Sequence, residues 1–247
     1  MNKAPAILIE DDSAFLSAFA DDTEESPWMV AADPHLQALT ALVSIVQLYV
    51  ADHRPDLYVS GELAMRFPKG DGTIGQVAPD LLAASASRRL RTSFDVAVEG
   101  AFPAFVVEVV SPASVRRDTH EKPRLYGLVG AREYVIFDPL GADGRQLFGY
   151  HRDRRGSWVR WPGGQSGALF SEVLGLTLEA HDMLLRPRDR FGVLLPTLAE
   201  ARTAHAAETQ RAHDQERRAD IEAQRARSAE ARAALLEAEL ARLRQGN

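Results

Sequence analysis

The chain has 247 residues, 45% of them apolar, enough to bury one substantial core and carry an appendage. It contains no cysteine, which excludes disulfides, cysteine metal sites and thiol catalysis. Its net charge of −6 argues against a protein that coats nucleic acid without specificity, because phosphate binding draws on clustered cations. Residues 1–32 mix short apolar runs with acidic clusters and read as a loosely ordered acidic arm. Between Met1 and Pro55 nine acidic residues (Glu10, Asp11, Asp12, Asp21, Asp22, Glu24, Glu25, Asp33 and Asp52) stand against Lys3 and Arg54. A helix is expected next, with Asp33 as its N-cap and Pro34 at its first position. Leu36, Leu39, Leu42, Val43, Val46 and Val50 recur at helical spacing, and the helix should end near Asp52, before Pro55.

A β-rich region follows. Asp56 to Phe67 reads as a strand-pair element closed by the turn Pro68-Lys69-Gly70-Asp71-Gly72, and a second strand is expected over Gln76 to Ala84. Arg88 to Gly100 is polar and irregular. Phe105 to Val110 is apolar on both faces except at Glu108, as in a strand buried centrally in a sheet; Ser111-Pro112 ends it. A helix is predicted over Thr119 to Val129 with Gly130 as its stop. Another buried strand covers Glu133 to Asp138, and two antiparallel strands, Leu147 to His151 and Ser157 to Trp161, complete the sheet. Alternating helix and strand make the core, residues 33–190, α/β with a mixed sheet flanked by helices.

Residues 191–247 form a tail. From Ala199 to Arg244 nine basic and nine acidic residues balance, with neither proline nor glycine, so one long C-terminal helix is expected. A heptad can be drawn through Leu198, Ala201, Ala212, Ala219, Ala226, Ala229, Ala233, Leu236, Leu240 and Leu243, but His205, Glu208, Gln215 and Glu222 interrupt it. Two outcomes stay open: a solvated single helix, or a coiled coil that makes a homo-oligomer. No run approaches about 18 uninterrupted apolar residues, and Met1 to Glu10 lacks the basic opening and apolar stretch of a signal peptide. A cytoplasmic protein with no membrane span is the expectation.

Three residues stand out chemically. Glu108 is a charge inside an apolar strand, which costs roughly several kcal/mol unless it is paired or binds a metal; an arginine partner would offset that cost as well as an ion would. Asp80 follows Pro79 within Val77-Ala78-Pro79-Asp80-Leu81-Leu82. Two carboxylates converging from adjacent strands would suit a hard cation such as Mg²⁺ with retained waters, which can activate water and stabilise a transferring phosphoryl group. Lys122 is one of only three lysines (Lys3, Lys69, Lys122) among 29 basic residues. Its compact ammonium could orient a water or neutralise developing charge. Tyr126 should share its helix face. Pro123 biases Lys122 away from helical geometry unless the helix begins close by. Glu62 could add a ligand from a neighbouring strand, or simply be exposed. Asp138 could support the site from behind, or cap the turn at Pro139. Trp158 and Trp161, near Arg154, Arg155 and Arg160, could meet nucleic acid or pack on the core.

The series Ala78-Pro79-Asp80, Phe105-Val106-Val107-Glu108-Val109-Val110-Ser111-Pro112, Arg116-Arg117-Asp118, Glu121-Lys122, Tyr126 and Arg132-Glu133-Tyr134-Val135-Ile136-Phe137-Asp138-Pro139 resembles the Uma-two family. These are bacterial proteins regarded as restriction endonucleases with the PD-(D/E)XK fold. Pro27-Trp28-Met29, Asp56 to Leu63 and Ser171-Glu172-Val173-Leu174-Gly175-Leu176 extend the likeness. The resemblance implies a restriction-endonuclease-like core in which Asp80 and Glu108 ligate Mg²⁺, or Mn²⁺. In the wider superfamily the lysine stands two residues after the glutamate; here that position is Val110, and Lys122 occupies the place to which the family moves it. The implied activity is metal-dependent hydrolysis of DNA. The rival is a catalytically inactive interaction protein on a nuclease fold, assembling through its C-terminal helix.

Overall fold

The runs Phe105–Val109 and Glu133–Phe137 hold no exposed residue, so they can only lie in the middle of a sheet with both faces covered. The computed structural model describes residues 10–21, 33–141, 146–162 and 167–245. Contacts divide the chain into Met1–Thr197 and Leu198–Asn247. In order, the first unit contains α1 (Glu10–Ala18), α2 (Asp33–His53), β1 (Tyr58–Gly61), β2 (Met65–Pro68), β3 (Ile74–Val77), β4 (Leu81–Ala84), β5 (Phe94–Asp95), α3 (Val96–Glu99) and β6 (Phe105–Val109). A π-helical turn (Arg117–Glu121) then leads into α4 (Lys122–Val129), β7 (Glu133–Phe137), β8 (Leu147–Arg152), β9 (Trp158–Arg160), β10 (Leu169–Ser171), β11 (Leu176–His181) and β12 (Leu184–Arg188). The second unit holds α5 (Leu198–Gln245).

The main sheet has the order β1-β4-β6-β7-β8-β9. β6 and β7 are parallel and their outer neighbours antiparallel, which is the mixed α/β sheet flanked by helices that the pattern of elements predicts. Period-two alternation divides its side chains cleanly. Leu81, Ala83, Val107, Val109, Val135 and Phe137 pack on one side with α2 and the β10–β12 sheet. Leu82, Ala84, Val106, Val110, Tyr134 and Ile136 pack on the other with α1 and α4. By length and composition α2 could cross a membrane, but it buries Ala38, Leu39, Leu42, Val46 and Val50 in the first of these cores.

Gly149 is required where β8 pairs with β7. A Cβ there would run into the Tyr134 carbonyl oxygen, a backbone atom held by the ladder that pairs Val135 with Gly149. Gly149→Ala should therefore destabilise the fold by about 1–3 kcal/mol, as overpacking does. Urea denaturation checks this, and a midpoint equal to wild type would contradict it.

Several sequence expectations are corrected. The arm contains α1, whose Leu16 and the following Phe19 are buried; the rest of residues 1–32, including Pro27-Trp28-Met29, lies outside the described residues. Two of the described acidic residues of the arm are paired. Asp12 lies 3.1 Å from Arg124 and Asp21 lies 3.0 Å from Lys69, while the Arg117 guanidinium stacks over Phe19 and donates to the Ala20 carbonyl. The strand expected over 76–84 breaks into β3 and β4, because Pro79 brings no N–H to a ladder and the two halves join different sheets. The irregular segment 88–100 holds β5 and α3, the latter capped by Asp95 accepting from the N–H groups of Ala97 and Val98. After the main sheet, β10–β12 form a separate three-stranded sheet that the sequence reading missed. α5 spans 48 residues with nearly every described side chain exposed.

Candidate active site

The antiparallel register of β4 and β6 pairs Leu81 with Val107 and Leu82 with Val106. One step further along the same register Asp80 meets Glu108. Directly opposed residues of an antiparallel pair share a face, and Val106 and Leu82 place that face against α4. Asp80 sits at the bend just before β4 rather than inside a strand. There its side chain can turn onto the end of β6: Oδ2 accepts from the Val109 N–H at 2.6 Å.

Glu108 is 2% exposed. Its Oε1 accepts from the Tyr126 hydroxyl at 2.7 Å and lies 3.0 Å from the Lys122 ammonium. Burial pushes the Glu108 carboxyl well above its usual range; Lys122 opposes that rise, and the charges of Asp118 and Asp80 add to it. Asp80 is raised to about 6, again by burial first, with His35, Lys122 and the Val109 N–H pulling the other way. The two carboxylates thus share the field of one ammonium.

Lys122 is buried, not a surface lysine. Its Nζ bridges Glu108 and Asp118, the latter at 2.9 Å. Proline after Lys122 does not force it out of helical geometry, since its φ and ψ are −62° and −33°. The chain solves the conflict with the π-turn. The Lys122 N–H bonds to the Arg117 carbonyl five residues back, so the wider turn makes room for a ring that would crowd an α-helical interior. Pro123 then falls in the first turn of α4, where a missing N–H is harmless.

Two site residues were not assigned from sequence. Asp118, 1% exposed, faces Lys122 from four residues earlier; an (i, i+4) Asp–Lys spacing is the signal that could have found it. His35, near the start of α2, brings Nε2 to 3.6 Å from Asp80 Oδ1, too far for a hydrogen bond; a contact between elements so distant in sequence leaves no local signal. Tyr134 donates its hydroxyl to the Asp118 carbonyl at 2.8 Å and packs against Tyr126 with ring centroids 4.8 Å apart.

The remaining candidates lie at the margin. Glu62 is exposed and adopts φ of 47°; its N–H donates to the Asp80 carbonyl at 3.2 Å, so its backbone rather than its carboxylate adjoins the site. Asp138 accepts from the Leu140 N–H at 3.0 Å, which is the turn-capping role. Trp158 donates to the Pro123 carbonyl at 2.9 Å and Trp161 is buried, so both take the packing role.

The donor set fits a hard divalent cation. Two buried carboxylates, Glu108 and Asp118, and the part-buried Asp80 face one buried ammonium, a deficit of positive charge that a cation would offset, and all the carboxylate donors are oxygen. No group of three or more His, Asp or Glu suited to holding a metal occurs among the described residues. A cation here would be held by Asp80 and Glu108 with its own waters completing the shell, the mode usual for Mg²⁺.

The Uma2 family model, described as "putative restriction endonuclease", matches residues 26–181. No curated protein matches the chain. Among solved structures, a putative nuclease belonging to DUF820 from Anabaena variabilis is similar at 14% identity, with a TM-score of 0.44 over 59% of this chain and 75% of that one.

Proposed function

The chain belongs to the Uma2 family of putative restriction endonucleases, and from that premise we propose that it is an endonuclease that hydrolyses DNA phosphodiester bonds with the help of Mg²⁺ or Mn²⁺. The observation that carries this reading is the gathering of the buried Glu108 and Lys122, 3.0 Å apart, with the part-buried Asp80, whose charge interacts with both. A structural salt bridge needs one carboxylate for one ammonium, and this cluster holds an excess of acid.

In this reading Asp80 and Glu108 hold the cation. The cation, when bound, supplies Lewis-acid charge for the phosphoryl oxygen and a more acidic water. Tyr126 and the Val109 N–H each fix one carboxylate oxygen, so the pair is already oriented before anything binds. Lys122 orients the attacking water and offsets charge gathering on the phosphoryl oxygens in an in-line displacement. Bulk charge gives no help in selecting DNA, and the substrate class rests on family membership.

The test is cleavage of supercoiled plasmid by purified protein with Mg²⁺ or Mn²⁺, beside Asp80→Ala and Glu108→Ala. Nicked or linear DNA from wild type alone is expected. Equal cleavage by all three proteins, or none from wild type with any divalent ion, would sink the hydrolytic reading. The rival, an inactive protein assembling through α5, draws on Leu235, Leu236 and Leu240, which are 72%, 58% and 54% exposed. Sedimentation of the full chain addresses it: a concentration-dependent oligomer abolished by Leu236→Glu/Leu240→Glu would favour assembly, whereas a monomer at all concentrations would remove it.

A further inference from the structure

We propose that Asp118 is a positioning residue that holds the Lys122 ammonium beside Glu108, so that a lysine carried on a helix does the work of one carried on the strand. The kinetic half of this proposal rests on the nuclease reading; the structural half does not.

A lysine side chain carries about 2 kcal/mol of rotamer entropy on its flexible stem. A strand rigidly paired on both sides limits where its own lysine can point. Lys122 has no such frame, because it stands at the start of a helix and must reach across to β6. One contact to Glu108 at 3.0 Å would leave the ammonium free to follow that carboxylate wherever a cation drew it. The contact to Asp118 at 2.9 Å gives a second anchor on the lysine's own helical run.

Asp118 is built for that task. Its side chain is 2% exposed, and Oδ1 meets the ammonium as an ion pair while accepting no hydrogen bond from the described residues. It caps no helix N-terminus, lying within the π-turn with its own N–H bonded to the Ser114 carbonyl. Its backbone is pinned from the sheet, where the fully buried Tyr134 donates to the Asp118 carbonyl. The adjacent Arg117 is tied to Phe19 and Ala20. The turn that tolerates Pro123 also brings Asp118 and Lys122 onto Glu108 together.

The chain's three lysines make this directly observable. Full-length protein labelled with ¹⁵N and ¹³C in lysine gives few side-chain signals, and Lys122→Met assigns the one of interest. Wild type should show a rigid Lys122 ε-methylene and a slowly exchanging ammonium. Asp118→Asn should lose that rigidity, while Glu108→Gln should keep it, because the second anchor remains. On plasmid, Asp118→Asn should lower kcat by about 10–100-fold, the usual cost of removing an orienting partner, with KM and the Mg²⁺ midpoint little changed; Asp118→Glu should recover part of it. A rigid lysine in Asp118→Asn, or a mobile one in Glu108→Gln, overturns the proposal. So does a shifted Mg²⁺ midpoint with the lysine still ordered, which would make Asp118 a ligand. If wild type cuts no DNA the nuclease reading falls, and the lysine signals still decide the role of Asp118; thermal melts confirm that each variant is folded.

Discussion

Lys122→Ala is expected to cost about 3–5 kcal/mol of folding stability near pH 8, the usual result of leaving a buried ion pair half intact. Lys122 Nζ lies within 3.0 Å of both Glu108 and Asp118, and both side chains are almost wholly buried. Removing the ammonium leaves their charges without compensation in a poor solvent for ions. The loss should shrink at pH 5. Glu108 already has its carboxyl pushed upward by burial, with Lys122 acting against that rise; without Lys122 it takes up a proton more readily and escapes the penalty. Urea denaturation at the two pH values measures this. The double variant Lys122→Met/Glu108→Gln should recover part of the loss, since deleting both charges removes the mismatch. On plasmid, Lys122→Ala should fall about 10²–10³-fold, the scale of removing one electrostatic contact to a transition state. A stability loss under 1 kcal/mol that ignores pH would mean that the ammonium does not neutralise this cluster.

The cluster was unevenly legible in the sequence. Glu108 is visible from elementary physics, because five consecutive buried strand residues contain one charge. Lys122 is visible from rarity among basic residues that are nearly all arginine. Asp80 needed the family pattern, because Pro-Asp ordinarily marks a turn, and a bend is where the residue in fact sits. Its partnership depends on register between β4 and β6, which is set by pairing and not by spacing. Asp118 was passed over because an acid four residues before a lysine usually describes a solvated helix face; only the π-turn and the cover of Tyr134 make it a buried one. His35 belongs to another element altogether.

The same physics explains which parts of the fold were hidden. Central strands and α2 carry long, regular apolar patterns and were found within a few residues of their bounds. α1 was hidden because its acidic residues suggest a solvated arm, whereas Asp12 of the helix and nearby Asp21 pair with Arg124 and Lys69 of the core. β5 has two residues and β10 three, too few for a period to show. The break at Pro79 was legible in principle, since proline has no place inside a central ladder.

Raising the pH of the metal-free protein from about 5 to about 8 should lower its stability, and Mg²⁺ should restore it. Asp80 has a folded-state value of about 6 against an ordinary 3.8. A carboxyl raised on folding favours the fold fully below its unfolded value and loses that contribution as pH climbs through the folded one. For Asp80 the window therefore runs from about 4 to about 6, and roughly two units correspond to on the order of 3 kcal/mol. Glu108 is shifted in the same direction and extends the decline upward. Glu133, also raised by burial, adds a background with the same sign but stands away from the cation. Glu99 works in the opposite sense: Arg91, with Arg89, holds it at about 2, so its contribution is lost only in more acidic solution and does not mask the effect. About half of that loss falls between pH 5 and pH 8, and for a unit of this size 1 kcal/mol is about 2–4 °C, so Asp80 alone should lower Tm by roughly 3–6 °C across the range. A cation that binds the folded state alone at 100 times its Kd returns about 2.7 kcal/mol, and it should do so at pH 8 far more than at pH 5, where protons occupy the same carboxylates. Thermal melts with Mg²⁺ or EDTA at both pH values test the chain of reasoning. In Asp80→Asn the Mg²⁺ effect should vanish and the metal-free protein should melt higher at pH 8 than wild type, because the charge that burial penalises is gone. Stabilisation by Mg²⁺ that is equal at the two pH values, or that survives in Asp80→Asn, would place the cation elsewhere on the protein.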